Sequence, residues 1–212
     1  MLIAIMIVGT IAQIAGWRLV TTGRADIWKL MPAVLGSMGV AAVIARPPVA
    51  AAETTPIAAL VIGVGAGLTL YLATRAFVWT ASHWAPFRRD MLETYGPAGE
   101  VSLGTTLLLS LAIVVPAEEF FWRGLYQARL GDAMSPAAAA FITWASYIGV
   151  NLASRSQPVV AAAIVGGAVW AGLAWWSQGV LASAASHILW TGLMLALPPG
   201  AARPAIEEGT AR

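Results

Sequence analysis

Two adjacent carboxylates and an arginine lie near the middle of the chain, in the segment PAEEFFWRG at residues 116–124. They directly follow VSLGTTLLLSLAIVV, an apolar run long enough to lie in a lipid bilayer. Glu119 and Arg123 are four residues apart, so on a helix they share a face and can form an ion pair. Glu118 is rotated by about 100° from Glu119 and has no basic residue at helical spacing. A carboxylate without a neighbouring cation suits a general base that acts on water.

Charges at the centre of a bilayer are expensive, at about 2.5–3.5 kcal/mol each on insertion scales. Such residues usually face a cavity lined by protein and have a function there. Pro116 precedes the pair and should open the helix locally, which would free backbone carbonyls near the site. A structural interpretation, in which the three charges form a single clamp between helices, stays open at this point.

Three further polar residues fall in later apolar runs. Asn151 is the only Asn in the chain and ends the run FITWASYIGVN. His187 lies deep in LASAASHILWTGL, and Thr191 follows it by four residues, on the same helix face. Small residues around His187 allow another backbone to approach closely. Each of these polar side chains could also serve only to form a hydrogen bond between helices, which is worth about 0.6 kcal/mol on average.

The elements that must position these side chains are membrane helices. Hydrophobic residues make up 59% of the 212 residues and charged residues 10%, so the chain is solvated by lipid. The sequence predicts an all-α fold, a polytopic membrane helix bundle of about seven transmembrane helices. The apolar runs lie at about residues 2–20, 30–46, 56–79, 101–127, 136–153, 158–177 and 179–197.

Three regions follow from these runs. Residues 1–98 would hold three transmembrane helices and a polar linker, 99–197 a core of four helices, and 198–212 a short polar tail. Because no Lys or Arg precedes Arg18, we interpret the first run as a membrane helix and not as a secretory signal.

Charge placement predicts an orientation and excludes several functions. In a seven-helix arrangement most basic residues fall on one side, so the positive-inside rule places the N-terminus outside and the C-terminus in the cytoplasm. The chain has no Cys, which excludes thiolate zinc sites and thiol nucleophiles. Its net charge is +2 and it has no basic cluster for phosphates, so we expect no nucleic-acid partner.

The motif Glu118-Glu119-x-x-x-Arg123 with the His187 helix resembles the CAAX protease and bacteriocin-processing (CPBP) family of intramembrane proteases, related to type II CAAX prenyl endopeptidases. The resemblance covers roughly residues 100–197. It implies a membrane-embedded endopeptidase in which the first Glu and a motif-two His activate water. For so short a chain we expect a bacterial plasma membrane. It also implies that the last His and its i+4 partner, here His187 and Thr191, hold the carbonyl oxygen.

The chain departs from the family pattern at the second motif, an aromatic followed four residues later by His. Tyr147 and Asn151 occupy these positions, and Asn is a poor zinc ligand. By resemblance zinc is a possible cofactor, with Glu118, Glu119 and His187 as possible ligands, but a three-ligand catalytic site of the usual kind is hard to assemble from them. A metal-free route stays open, with Glu118 as base and Asn151 orienting the water. No other cofactor is predicted.

Three functions are consistent with these residues. The first is an endopeptidase of the CPBP type, a metallo- or glutamate endopeptidase that acts on a peptide or membrane-protein substrate. The second is a catalytically impaired relative that binds a membrane partner, which Asn151 favours. The third is a small proton-coupled transporter using Glu118 and His187 as a relay, although it would lead us to expect inverted repeats that the sequence does not display. The oligomeric state is not indicated.

Overall fold

The computed structural model describes residues 1–99 and 101–200, and all regular structure in this part of the chain is helical. Six helices are long and apolar enough to cross a membrane, and a seventh, the last, is apolar but shorter. These observations confirm the all-α membrane bundle. The polar tail predicted at 198–212 lies, from residue 201 on, outside the described residues. The helices are α1 (Leu2–Thr21), α2 (Ile27–Ala45), α3 (Pro56–Ala81), α4 (Ala85–Gly99), α5 (Leu103–Gly131), α6 (Pro136–Asn151), α7 (Gln157–Ser177) and α8 (Leu181–Ala196).

Short polar residues determine where most of these helices begin. A side-chain oxygen just before the first turn accepts a backbone N–H of that turn, which would otherwise lack a partner in lipid. In α3, α6 and α7 a proline also lies in the first turn, where its missing N–H costs nothing. The capping residues are Asp26, Thr55, Ser102, Ser135 and Ser156.

Three connections meet at one end of the bundle. The α7–α8 turn pairs with the α2–α3 connection, where the Val180 N–H donates to the Val49 carbonyl at 2.9 Å. Arg46, just after α2, forms a two-pronged ion pair with Asp132, just after α5, with a shortest distance of 2.6 Å. The connections that follow α2, α5 and α7 therefore lie on the same side.

The other connections meet at the opposite end, which we call the basic end. Thr94 of α4 hydrogen-bonds Ser156 at 2.7 Å, and the backbone N–H of Gln157 donates to Asp90 at 3.4 Å. Ile27, at the start of α2, lines the same cavity as residues of α4 and α7. Alternation of the connections between the two ends agrees with seven crossings. The exposed basic residues of this end include Arg18, Arg24, Lys29, Arg88, Arg89 and Arg155.

The polar linker of the sequence analysis contains a helix that the apolar runs did not reveal. In α4, Phe87, Met91 and Tyr95 recur every four residues and are buried against the bundle. Arg88 and Arg89 occupy its exposed side. Its apolar stripe is narrow and its charge content is high, so α4 is an amphipathic helix and not a membrane span. It packs at the basic end of the bundle.

The seven-crossing topology can be tested by single-cysteine labelling, since the chain has no native Cys. Thr22→Cys and His83→Cys lie at exposed positions of the basic end, and Ala52→Cys and Ala133→Cys at exposed positions of the other. We expect a membrane-impermeant maleimide to label only the second pair from outside intact cells, and all four once the cells are opened. If a residue of each pair reacts from the same side of sealed membranes, the crossing count is wrong.

Candidate active site

Helix α5, which carries the charged motif, widens twice along its length. Residues Ser110–Val114 form a π-helical segment in which the Val115 N–H donates to the Ser110 carbonyl, five residues back. This widening directly precedes Pro116, whose ring and missing N–H disturb the regular ladder. A second π-helical segment, Phe120–Gln127, follows the two glutamates. The carboxylates therefore project from a short α-helical piece between two distortions of the kind often found at functional sites.

Glu119 accepts hydrogen bonds from two cationic or protonatable side chains. Its Oε1 lies 3.2 Å from Nη1 of Arg123 and 2.9 Å from Nδ1 of His187. Glu119 itself is completely buried, at 0% exposure. An ionised carboxylate can only accept, so Nδ1 is the His187 nitrogen that carries the proton in this contact, which leaves Nε2 free for another partner.

Aromatic rings and a carbonyl surround the Arg123 guanidinium. Nη2 donates to the Gly167 carbonyl of α7 at 3.4 Å. The guanidinium carbon lies 4.9 Å from the ring centroid of Tyr147 and 5.6 Å from that of Trp170. Trp170 also stacks on the His187 imidazole, with centroids 3.5 Å apart and planes 17° apart. Electron-rich ring faces stabilise a cation that water does not reach, so this enclosure offsets part of the cost of burying the charge.

Glu118 has a different environment, although it is the next residue. Its Oε1 accepts from Nε2 of Gln13 at 3.1 Å, and its Oε2 accepts from the hydroxyl of Tyr147 at 3.2 Å. Both donors are neutral. Glu118 keeps 7% of its surface accessible, whereas Glu119 keeps none. The two carboxylates thus differ in partner and in access, and Glu118 is the more accessible of the two.

The structure places Asn151 one helical turn beyond Tyr147. Its Nδ2 donates to the Tyr147 carbonyl at 2.9 Å, and the residue is buried. The hydrogen bonds that Glu118 accepts come from Gln13 and Tyr147. Asn151 is therefore connected to Glu118 through Tyr147, and its predicted role in orienting water stays a prediction.

Thr191 lies one turn beyond His187 and is half-buried. It lines a cavity of about 440 Å³ between the start of α2 and helices α3, α4, α7 and α8, together with Trp190, Met194 and Gly166. This cavity is walled mainly by apolar side chains. Thr191 thus presents a polar group where the cavity meets the helix that carries His187.

Close backbone contacts position both sides of the site. On α2, a Cβ added to Gly39 would lie 2.6 Å from Cα of Ala117, the residue before Glu118. On α3, a Cβ added to Gly67 would lie 2.7 Å from the carbonyl oxygen of Ser186, the residue before His187. Larger residues cannot occupy these positions without moving the helices apart. Small residues therefore hold the α5 carboxylates and the α8 imidazole against the rest of the bundle.

The residues of this site do not fit a zinc ion. Among the described residues no group of three or more His, Cys, Asp or Glu side chains is arranged to hold a metal. Both oxygens of Glu118 accept from neutral donors, and Oε1 of Glu119 faces both Arg123 and His187. A guanidinium among the proposed ligands would repel a divalent cation.

Comparison with known proteins agrees with the motifs. Residues 101–193 match the family described as Rce1-like, type II CAAX prenyl endopeptidase Rce1-like. The match confirms the resemblance to CAAX-type intramembrane proteases over a region that begins just before α5 and ends within α8. Comparisons with curated proteins and with solved structures gave no match.

Two residues of the site escaped the sequence analysis. Gln13 belongs to α1, far from the motif in sequence, and Trp170 appeared only as one of ten tryptophans in the chain. A carboxamide in the otherwise apolar run MLIAIMIVGTIAQIAGW could have drawn attention, because an unpaired amide in lipid is costly. Its partner could not be found from spacing, since the two lie 105 residues apart.

The two glutamates should respond differently to the same substitution. Glu119→Gln leaves the buried Arg123 without its carboxylate, and removal of one partner of a buried pair costs about 3–5 kcal/mol. We expect a large fall in folded yield and in the thermal unfolding temperature in detergent. Glu118→Gln keeps a polar side chain between two neutral donors and should retain yield and stability. Equal loss from both would indicate a single structural clamp.

Proposed function

We propose that the chain is an intramembrane endopeptidase in which Glu118 activates the water that attacks a peptide bond. The observation that carries this proposal is that the two carboxylates have different partners. Glu119 is fully buried and contacts Arg123 and His187. Glu118 accepts hydrogen bonds from neutral donors only and keeps a small accessible surface. A carboxylate that a cation does not neutralise retains the basicity needed to take a proton from water.

The remaining groups suit hydrolysis. As the water oxygen adds to the carbonyl carbon, Glu118 takes one of its protons and the carbonyl oxygen becomes negative. His187 can donate from Nε2 to that oxygen when both of its ring nitrogens carry a proton. The Thr191 hydroxyl, one turn further, is a second candidate donor. When the C–N bond breaks, Glu118 returns its proton to the leaving amine.

This mechanism uses neither a metal nor a redox group, in keeping with the poor fit of the residues to zinc. In this proposal Asn151 acts through Tyr147: its amide donates to the Tyr147 backbone carbonyl, and the Tyr147 hydroxyl donates to Glu118. The apolar cavity of about 440 Å³ that reaches Thr191 offers a substrate path from the basic end. Of the proposed site residues only Thr191 lines this cavity, so a peptide or membrane-protein segment that enters there would have to pass beyond Thr191 to bring its scissile bond to His187 and Glu118. We propose a bacterial plasma membrane as the location, with the N-terminus outside.

Asn151 supports a second candidate function. An amide cannot exchange a proton near neutral pH, so the chain could be a catalytically impaired relative that binds a membrane partner at the same polar site. The contacts of Glu118 and Asn151 are compatible with either function, and the two are separated by measuring turnover.

Glu118→Gln should remove turnover of a peptide library by the purified protein, with a loss of at least about 10³-fold, because the base is absent. Glu93→Gln is the matched control: it makes the same change at an exposed carboxylate of α4 and should retain full turnover. Measurable cleavage by Glu118→Gln at the wild-type rate would exclude Glu118 as the base.

Asn151 variants decide between the two functions. Asn151→Ala should slow turnover by on the order of 10²–10³-fold, comparable to the loss of one polar transition-state contact. Asn151→His should restore or raise activity, because an imidazole can share the proton with Glu118. Chelators should leave wild-type turnover unchanged.

Two results would require a different account of Asn151. Activity that is absent in the wild type and appears only with Asn151→His would make the chain an impaired relative. Activity that a chelator abolishes and zinc restores would contradict the metal-free mechanism.

A further inference from the structure

The buried amide of Gln13 connects helix α1 to the reacting carboxylate. Gln13 is 0% exposed and makes two side-chain contacts, one with Glu118 at 3.1 Å and one with Trp122 at 3.2 Å. Both contacts join α1 to α5. Helix α1 lies outside residues 101–193, the region that matches the protease family. The amide is therefore a component of the site that the family match does not include.

The chemistry of the two partners fixes which way the amide points. The indole N–H of Trp122 can only donate, so it must face the carbonyl oxygen of Gln13. The NH₂ group then faces Glu118, whose ionised carboxylate can only accept. Rotation of the amide by 180° would place its NH₂ group against the Trp122 indole N–H and its oxygen against the Glu118 carboxylate, so that neither hydrogen bond could form. The Trp122–Gln13–Glu118 chain thus has one orientation.

This fixed orientation makes the two oxygens of Glu118 unequal. Oε1 faces an amide N–H, which cannot accept a proton or a hydrogen bond. Oε2 faces the hydroxyl of Tyr147, which can rotate and can act as donor or acceptor. A proton taken from water can therefore be held on Oε2, beside Tyr147, while Oε1 stays bound to Gln13.

We infer that Gln13 is a positioning residue that holds the Glu118 carboxylate by Oε1 and leaves Oε2 to exchange the proton. The inference rests on the proposed function, since it describes the same carboxylate as the base. It also assigns the N-terminal helix a direct part in the site: α1 supplies the group that orients the base.

The direct test replaces Gln13 by Met, which has a similar length and shape but neither donor nor acceptor. Thr10→Val is the matched control. Thr10 lies one turn earlier on α1 and its hydroxyl donates to the Met6 carbonyl within the same helix. Two NMR resonances report on the Trp122–Gln13–Glu118 chain, here called the bridge, without any need for turnover. The first is the Glu118 side-chain carboxyl in ¹³C-Glu protein, identified by its loss in Glu118→Gln. The second is the Trp122 indole N–H in ¹⁵N-Trp protein, identified by its loss in Trp122→Phe.

We expect Gln13→Met to shift both resonances and to lower kcat by about tenfold or more, because the Glu118 carboxylate loses the hydrogen bond that holds its Oε1. KM should stay within about twofold, because Gln13 orients the base and does not bind substrate. Thr10→Val should change neither the resonances nor kcat. A global loss of structure would move many tryptophan signals and would be visible in the same spectrum.

Each other outcome contradicts the inference or the proposed function separately. If either resonance stays in place in Gln13→Met, the bridge does not exist. If both move while kcat is unchanged, Gln13 contacts Glu118 but does not position it for reaction. If the wild type shows no turnover, the proposed function fails, and the two resonances alone decide whether Gln13 holds the carboxylate.

Discussion

The rest of the structure depends on one interaction, the buried contact of Glu119 with Arg123 and His187. An ionised group in a low-dielectric interior costs several kcal/mol, and Coulomb attraction offsets this only when the geometry is good and the remaining polar groups are satisfied. The bundle meets this condition in part: Arg123 makes a second contact at the Gly167 carbonyl and lies near the ring faces of Tyr147 and Trp170. Oε2 of Glu119 and Nε of Arg123 are buried without a hydrogen-bond partner among the described residues. Four helices, α5 to α8, are thereby tied to one carboxylate.

Arg123 forms its ion pair with Glu119, so the hydrogen-bond partners of Glu118 are neutral groups. The carboxylate that does chemistry in our account is left with neutral donors and a small exposed surface, while its neighbour neutralises Arg123. Had both carboxylates shared the guanidinium, neither would keep full basicity. Small residues at Gly39 and Gly67 serve the same arrangement, since they let α2 and α3 approach α5 and α8 closely enough to exclude lipid from the charges.

Much of this could be predicted from the sequence, because the physics involved is local or compositional. Long apolar runs predicted the membrane helices, and the spacing of Glu119 and Arg123 predicted that they could pair. Helix α4 was missed because an amphipathic helix at the end of a bundle reads as a polar linker when only apolar runs are counted. Gln13 and the stacking of Trp170 on His187 depend on tertiary contacts between distant segments, which spacing along one helix cannot reveal.

The central claim is that Arg123 is coupled to Glu119 and not to Glu118, and double-mutant cycles of unfolding free energy test it most directly. One cycle would combine Glu119→Gln with Arg123→Met, and the other Glu118→Gln with Arg123→Met. We predict a coupling energy of about 2 kcal/mol or more in the first cycle and less than half of that value in the second, where Arg123 and Glu118 make no direct hydrogen bond. Equal coupling in both cycles would show that the two carboxylates share the arginine, and would contradict the division between a structural and a reactive glutamate.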